Sequence, residues 1–341
     1  MSLDPQALRT FVGEVLRAYD APATYADRVA HALVDADLCG HSSHGVRQIP
    51  FYVEQILRRE LDVHADLTTV DDRGSFVLCD GGFGFGHVVA MEATELAVAR
   101  ASSVGAAVVA VRNANHIGRL GEYTSFAGER GCVAMLFVNN QGSVDQQVAP
   151  FGAAERRLTN NPISFAAPGG IVLDIALSVA AEGRVHLAAE QGTPVPEGWI
   201  LDARGAPSTD PRDYLAGGSL LPVGGVTGGY KGYGLIVAIE AIVGLLTGGG
   251  MVGRGWTGFS NAFVLVCVHP GTEAAEAYDE EFERFTHWVK SASPLPGREI
   301  LLPGEPEANA RARTIEIELP QSTRDALTDV ARARGVDVPS F

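Results

Sequence analysis

The chain has 341 residues, 46% of them hydrophobic and 20% charged, which is ample for a buried core in one large domain or two. A formal net charge of -15 and a pI near 5.0 exclude the basic surface that nucleic acid or an anionic membrane would need, and no Lys/Arg block offsets the acid locally. The four cysteines, Cys39, Cys79, Cys132 and Cys267, form no C-x-x-C pair, and the N-terminus has no basic-then-apolar leader, so a reducing cytoplasm is expected.

Asp4-Pro5 offers an N-cap and a first-turn proline ahead of Leu8, Phe11, Val12, Val15 and Leu16 at helical spacing. The pattern returns over residues 24–38, with Thr24 and Asp27 as a capping pair and Gly40 as the stop, and again over residues 50–59. Residues 1–60 thus read as a helical region. Beyond them strands are predicted at 75–79, 106–112 and 132–138, alternating with helices at 87–103 and 119–129, which implies parallel pairing through right-handed crossovers. Later strands at 158–167, 171–173 and 263–268 lack regular intervening helices, so the expected fold is α/β with a mixed β-sheet and flanking helices. Residues 235–246 predict a core helix, too short and too interrupted by Glu240 to span a bilayer, and Glu273 to Glu283 reads as a solvated helix face.

Three polar clusters fall where this reading puts strand ends: His116 in Asn113-Ala114-Asn115-His116-Ile117-Gly118-Arg119-Leu120-Gly121, then Asn139-Asn140, then Asp174. Open α/β sheets bind ligands at the carboxyl ends of strands, so the three suggest one crevice lined by an imidazole, amides and a carboxylate. The plainer alternative for His116 is a solvated loop residue ahead of a helix capped by Asn113 or Asn115. His41-Ser42-Ser43-His44-Gly45 lies between two helices, where a histidine could move a proton near neutral pH with Ser43 orienting it; a capping turn is the alternative. The spacing His41-x-x-His44 could suit zinc, but no nearby Cys, Asp or third His completes a ligand set, and no metal is expected.

Two glycine motifs fail as nucleotide loops. Gly81 to Gly86 follows a strand and precedes a helix, but its spacing is G-x-G-x-G and the next strand ends in Arg112-Asn113 without the acid that holds a ribose. Gly224 to Gly234 contains Lys231 but no Walker A spacing; a phosphate could still sit on Lys231 and the N-terminus of the helix expected to follow.

In order, the motifs resemble the malate/L-lactate dehydrogenase family, the second and non-Rossmann type, whose relatives include ureidoglycolate and sulfolactate dehydrogenases and cyclic-imine carboxylate reductases. The matching segments are Ser43-His44-Gly45, Asn115 to Gly121, Ala149-Pro150-Phe151-Gly152, Asn161-Pro162-Ile163, Asp174-Ile175-Ala176-Leu177-Ser178, Pro196-Glu197-Gly198-Trp199, Thr209-Asp210-Pro211, Tyr230 to Leu235 and Leu302-Pro303-Gly304-Glu305. The turn from Gly40 to Gly45 and the ending Trp288-Val289-Lys290 with Leu302 to Pro306 are most similar to the hydroxycarboxylate dehydrogenase subgroup.

The resemblance implies a homodimer with a non-Rossmann NAD(P)-binding fold, NAD as cofactor with NADP the alternative, and hydride transfer between a 2-hydroxy acid and its 2-oxo acid. It implies one family-wide unit: residues 1–60 carrying the catalytic turn, 61–310 the cofactor and substrate region, and 311–341 a C-terminal segment. Carried over by motif, His44 is the proton donor or acceptor with Ser43 and His116 beside it. His44, Gly118, Arg119, Leu120, Asp174, Ile175, Ala176, Leu177, Ser178, Tyr230, Lys231, Asn261, Gly304 and Glu305 would hold the cofactor. The chain departs from the pattern in three places. Gln48 stands where many relatives have an arginine for the substrate carboxylate, with Arg47 one residue earlier; Asn160 replaces the Thr of Gly-Thr-Asn-Pro; Leu177 replaces the Thr of Asp-x-Ala-Thr-Ser. A glutamine lacks the guanidinium fork, so Arg47, Gln48 and Asn160 mark the substrate side and a preference shifted from simple malate or lactate. Reduction of a cyclic imine carboxylate is the alternative within the family. A non-catalytic relative is the alternative outside it, and the joint presence of His44, His116, Asp174 and Lys231 argues against that.

Overall fold

The computed structural model describes residues 2–141, 146–255 and 258–339. In chain order its first elements are β1 (Ser2–Leu3), α1 (Pro5–Ala18), α2 (Ala23–Leu38), two 3-10 turns (Ser42–His44 and Val46–Gln48), α3 (Ile49–Leu57), β2 (Thr68–Asp72), β3 (Phe76–Asp80), α4 (Gly86–Val104), β4 (Ala106–Ala114), α5 (Gly121–Gly128) and β5 (Val133–Asn140). There follow β6 (Ile163–Ala167), β7 (Ile171–Ile175), α6 (Glu182–Gln191), β8 (Ile200–Leu201), β9 (Pro207–Ser208), α7 (Pro211–Leu215), β10 (Ser219–Leu220), α8 (Gly225–Thr247), β11 (Asn261–Val268), α9 (Thr272–Lys290), α10 (Glu305–Arg313), β12 (Ile317–Glu318) and α11 (Gln321–Arg332).

The first helix starts as its sequence dictates: the Asp4 carboxylate accepts the Ala7 N–H at 2.9 Å, and Leu8, Phe11, Val12, Val15 and Leu16 are all buried. The second does not use the expected cap. Its N-cap is Pro22 with no side-chain bond, Thr24 lies inside the first turn, and Asp27 instead pairs with Arg17 at 2.6 Å. The C-terminus closes this helical layer. β12 pairs with β1, and Leu319, Leu327 and Ala331 enter one core with Leu8, Leu33 and Ile49.

The central sheet has seven strands in the order β2-β3-β4-β11-β5-β6-β7. It is mixed, as expected, yet only β3 and β4 pair in parallel, across the α4 crossover. The expected direct pairing of β4 with β5 is replaced: both run the same way, but β11 lies between them, antiparallel to each. Local alternation of strand and helix cannot reveal an inserted strand that arrives more than a hundred residues later. Residues 158–162 of the predicted strand stay outside the observed one because Asn161 adopts φ +29 and Pro162 follows it, so β6 begins only at Ile163. The edge strand β2 and the small sheet β10-β8-β9 gave no period in the sequence.

On one face α4 and α5 cover the sheet; on the other lies α8. That helix runs 23 residues and not twelve, beginning ten residues before the apolar segment that signalled it. Its glycines hid the first turns, and one is needed for contact: a Cβ at Gly232 would run into the Val223 backbone. By length and composition alone α8 could cross a membrane. Here it packs on β3, β4, β5 and β11, and buried Glu240 accepts from the Asn161 Nδ2 at 2.9 Å, the Asn139 Nδ2 at 3.1 Å and the Val252 N–H at 3.1 Å. Its outer side leaves Val226, Tyr230, Leu235, Val237, Ile242 and Leu245 exposed.

Removing the Glu240 carboxylate would strand these three donors, each costing about 1 to 3 kcal/mol when buried and unpaired. Glu240→Ala is expected to lose at least about 3 kcal/mol in urea unfolding, and Glu240→Gln less, because one acceptor remains. A loss below about 1 kcal/mol in the alanine variant would contradict the role given to this carboxylate.

Candidate active site

The turn that carries Ser43 and His44 is built by the end of α2. Gly40, at φ +81, stops the helix, and Asp37 reaches forward to accept the Val46 N–H at 2.9 Å. Gly45 lies against the same carboxyl, where a Cβ would overlap it, so only glycine can follow His44. Two more contacts fix the turn. The Gln48 Nε2 donates to the Ser43 carbonyl at 2.7 Å, and His41 pairs with Glu307 of α10 at 3.2 Å.

Half-buried His44 has its Nδ1 2.9 Å from the Ser43 Oγ, and its ring stacks on His116 at 5.6 Å and 23°. His116 enters from the segment after β4, with its Nδ1 2.8 Å from the Tyr52 hydroxyl. It is partly buried and not a solvated loop residue, and the helix that follows, α5, has Leu120 as its N-cap and not Asn113 or Asn115. Asn261, the first residue of β11, ties three strand ends together: its Oδ1 accepts the Ile117 N–H at 3.1 Å and its Nδ2 donates to the Asn140 Oδ1 at 2.7 Å. Buried His87 stands edge-on to His116, against Gly118.

Beside this turn opens a cavity of about 790 Å³, lined in part by Asp35, Arg119, Asp174, Gly304, Glu307 and Arg311. Asp35 accepts from the Arg119 Nη2 at 2.9 Å and the Arg311 Nη2 at 2.8 Å, so one carboxylate serves two guanidiniums. Asp174 accepts the Gly121 N–H at 2.6 Å. Gly304 caps α10, and Glu305 is turned to its own helix start, accepting the Leu302 N–H at 2.7 Å and pairing with Lys290.

Burial governs the titration of the site. It pushes His44 down to about 4, with the positive charges of His41 and Arg119 adding to it, and His116 down to about 3, with His44 adding. His87 falls well below the usual histidine range for the same reason. All three imidazoles are therefore neutral at pH 7. Asp37 moves the other way: burial lifts it to about 7 against the opposing pull of the Val46 N–H and Arg47, and burial also raises Asp174.

The structure thus gathers Ser43, His44 and His116 at one turn, with Asn261 holding the segment that carries His116, and places Arg119, Asp174 and Gly304 in the cavity. Other predicted residues stand elsewhere. Leu120 is core, leading into α5. Ile175 and Ala176 end β7 and follow it, while Leu177 packs into the core with its N–H on the Asn160 carbonyl at 2.8 Å, and the Ser178 hydroxyl donates to the Ala180 carbonyl at 2.8 Å. Tyr230 and Lys231 are exposed on α8, whose N-terminus is at Gly225, so the expected pairing of Lys231 with a helix N-terminus fails: the lysine sits in the second turn. Arg47 is exposed, and Gln48 braces Ser43. Sequence reasoning missed Asp35, Asp37, Tyr52, Arg311 and the start of α6, where a Cβ at Gly183 would come within van der Waals contact of the Ser43 side chain. The two aspartates had a signal, since they sit among the buried residues of an apolar helix. Tyr52 and α6 had none.

The stacked imidazoles join the turn after α2 to the end of β4 beside a mixed sheet with no Rossmann order, and the comparisons place this fold among oxidoreductases of hydroxy acids. The chain belongs to the malate/L-lactate dehydrogenase family, whose sequence profile matches residues 3–328. It is 33% identical to an L-lactate dehydrogenase of Cupriavidus necator over 100% of both chains. Among solved structures it is similar to a putative malate/lactate dehydrogenase from E. coli, with a TM-score of 0.93 and 32% identity over 99% of this chain and 96% of that one. It is also similar to the delta1-piperideine-2-carboxylate reductase of Pseudomonas syringae, with a TM-score of 0.81 and 29% identity over 97% and 100%.

Asp37 yields a stability prediction with a definite sign. Its folded pKa of about 7 lies above the unfolded value near 3.8, so the native state holds the extra proton between them and wild-type stability falls as pH rises through that window. Asp37→Asn has no such slope. Relative to wild type, the variant is expected to gain up to about 4 kcal/mol between pH 4 and pH 7.5, read from urea curves at each pH. Parallel pH dependence in the two proteins would mean that Asp37 is not buried as described.

Proposed function

We propose that the protein is an NAD-dependent oxidoreductase interconverting a 2-hydroxy acid and its 2-oxo acid, with NADP the alternative cofactor. The observation that supports this best is His44 itself: a neutral imidazole, oriented by Ser43 and stacked on His116, on a turn whose His41 pairs with Glu307 of the cavity wall. With its Nδ1–H donating to the Ser43 Oγ, the Nε2 lone pair is free to accept a hydroxyl proton. A bound nicotinamide would take the hydride from the carbinol carbon, or return it. In the reducing direction His44 must first hold a proton, which the alkoxide developing on the substrate draws from it.

The cavity suits such a cofactor. Its volume lies in the range of small-molecule sites, Asp174 and Gly304 line it, and the buried Arg119 Nε has no protein partner, as a group reserved for a ligand would have none. The resemblance to a piperideine carboxylate reductase favours a second reading, reduction of a C=N bond next to a carboxylate, which uses the same proton and hydride positions. A second copy of the chain is the partner proposed for α8, because six large apolar side chains on its outer side are open to solvent and Leu245 is 79% exposed. Tyr230 and Lys231 lie on that same side, which would bring them to the partner's surface.

Mixing the protein with NADH or NADPH and a panel of 2-oxo acids and cyclic imine acids, while following nicotinamide absorbance, tests the reading; silence throughout would defeat it. His44→Ala is expected to lower kcat by about 10² to 10⁴-fold and leave NADH affinity, read by fluorescence titration, unchanged. Near-full turnover in that variant would remove His44 from the chemistry. Leu245→Glu is expected to shift the protein toward the monomer in light scattering, and an unchanged mass would move the contact off this face.

A further inference from the structure

His44 and His116 stack with ring centroids 5.6 Å apart, yet the groups that hold them differ. The His44 Nδ1 meets the Ser43 Oγ at 2.9 Å. The His116 Nδ1 meets the Tyr52 hydroxyl at 2.8 Å, and Tyr52 is 1% exposed. Among the described residues that phenol oxygen has no other hydrogen-bond partner. His87, the other nitrogen-bearing ring beside it, stands edge-on at 5.7 Å, and its buried Nδ1 has no partner. The phenol proton therefore has one acceptor, the His116 Nδ1; with the bond reversed it would be buried and unpaired, which costs free energy. A neutral imidazole whose Nδ1 accepts carries its own proton on Nε2.

We propose that Tyr52 is a positioning residue: its buried hydroxyl holds His116 in the tautomer with the proton on Nε2, so that His116 donates a hydrogen bond to an oxygen of the reacting acid, beside the proton acceptor on His44. Burial agrees with this direction of the bond. It lifts Tyr52 well above the usual phenol range and takes His116 down to about 3, so the hydroxyl keeps its proton and the ring gains no second one at pH 7. The ring has little freedom to turn away. The His116 backbone N–H donates to the Asn115 Oδ1 at 2.8 Å, and the rings of Phe259 and His87 stand across it at 6.0 and 6.3 Å. Among the described residues nothing bonds its Nε2, and the residue is only half-buried, so this N–H is the polar group left for a ligand.

The two stacked rings thereby take opposite parts. His44, donating from Nδ1 to Ser43, presents a lone pair on Nε2; His116, accepting at Nδ1 from Tyr52, presents an N–H on Nε2. Oxidation of a hydroxy acid needs both, an acceptor for the hydroxyl proton and a donor for the oxygen that gains negative charge as the proton leaves. Reduction uses the same donor to polarise the carbonyl. Two rings in the same tautomer would supply two acceptors or two donors.

This inference rests on the 2-hydroxy acid reading, and its test separates the two. Long-range proton–nitrogen NMR spectra of protein carrying isotope-labelled histidine show which ring nitrogen of His116 bears the proton, with His116→Gln identifying its signals. The unliganded wild type is expected to carry it on Nε2. Oxamate, an unreactive stand-in for a 2-oxo acid, added to the NADH-saturated wild type is expected to shift that Nε2–H signal. Tyr52→Phe keeps the buried ring and removes only the hydroxyl. It should move the His116 Nδ1 signal to that of an unbonded ring nitrogen, lower kcat by about 10-fold and leave NADH affinity within about threefold of wild type. Circular dichroism and thermal unfolding check that the variant folds, and the wild-type spectra decide if it does not. A proton on Nδ1 of wild-type His116, an oxamate complex with the Nε2–H signal unmoved, or Tyr52→Phe with full kcat or with an NADH loss as large as its kcat loss would each overturn the proposal. Failure of the wild type to bind oxamate and to turn over any acid or imine would defeat the functional reading, while the unliganded spectrum still decides the tautomer that Tyr52 sets.

Discussion

The molecule depends on one late strand. β11 supplies the pairing edge for both β4 and β5, so the sheet has no continuous centre until residues 261–268 are in place. Its first residue, Asn261, then joins the segment after β4 to the end of β5 through its own side chain. Because the amide oxygen and amide nitrogen face two different strand ends, this one residue sets their relative height, and His116 follows one residue before Ile117 on one of them. The sheet's closure and the position of an active-site imidazole are therefore the same event.

Helical packing imposes the second condition. His44 reaches His116 only because α2 stops at Gly40 and the turn beyond it folds back onto Asp37. The C-terminal segment supports that turn from outside, through Glu307 on His41 and Arg311 on Asp35. Chain segments more than 260 residues apart hold the two ends of one short turn, so damage at the C-terminus is felt at His44 without any direct contact.

What could be read from the sequence was what is local or what is chemically conspicuous. Asp4-Pro5 fixed the start of α1, the apolar runs marked β3, β4, β5 and β11, and the polar clusters at strand ends found His116 and Asp174. Register and insertion were not legible, because the partner of β4 is chosen by a segment with no local relation to it. Glycine misled in the same way. Gly225 to Gly234 reads as a loop by propensity, yet packing against residues 222–223 makes it helix, and tertiary contact outweighs the roughly 1 kcal/mol that each glycine costs. Within the site, the motif residues that came together are, Gly304 apart, polar side chains that are buried or half-buried. Leu177, Tyr230 and Lys231 were carried by their motifs alone, and the first became core while the other two lie on an outer face.

The site is kept electrically lean. Three imidazoles are neutral at pH 7 because burial disfavours their charged forms and nearby positive groups add to it, and the guanidiniums near them share a single aspartate. A fully paired site would have little to gain from an anionic ligand, whereas this one keeps a buried Arg119 Nε without a protein partner in the cavity and an uncharged imidazole at the turn. A neutral imidazole receives the proton of an alcohol without prior charging, so the unliganded state is ready for oxidation. For reduction His44 must first take up a proton, and the amide at Gln48 braces the turn on the Ser43 carbonyl without adding a positive charge that would oppose that uptake.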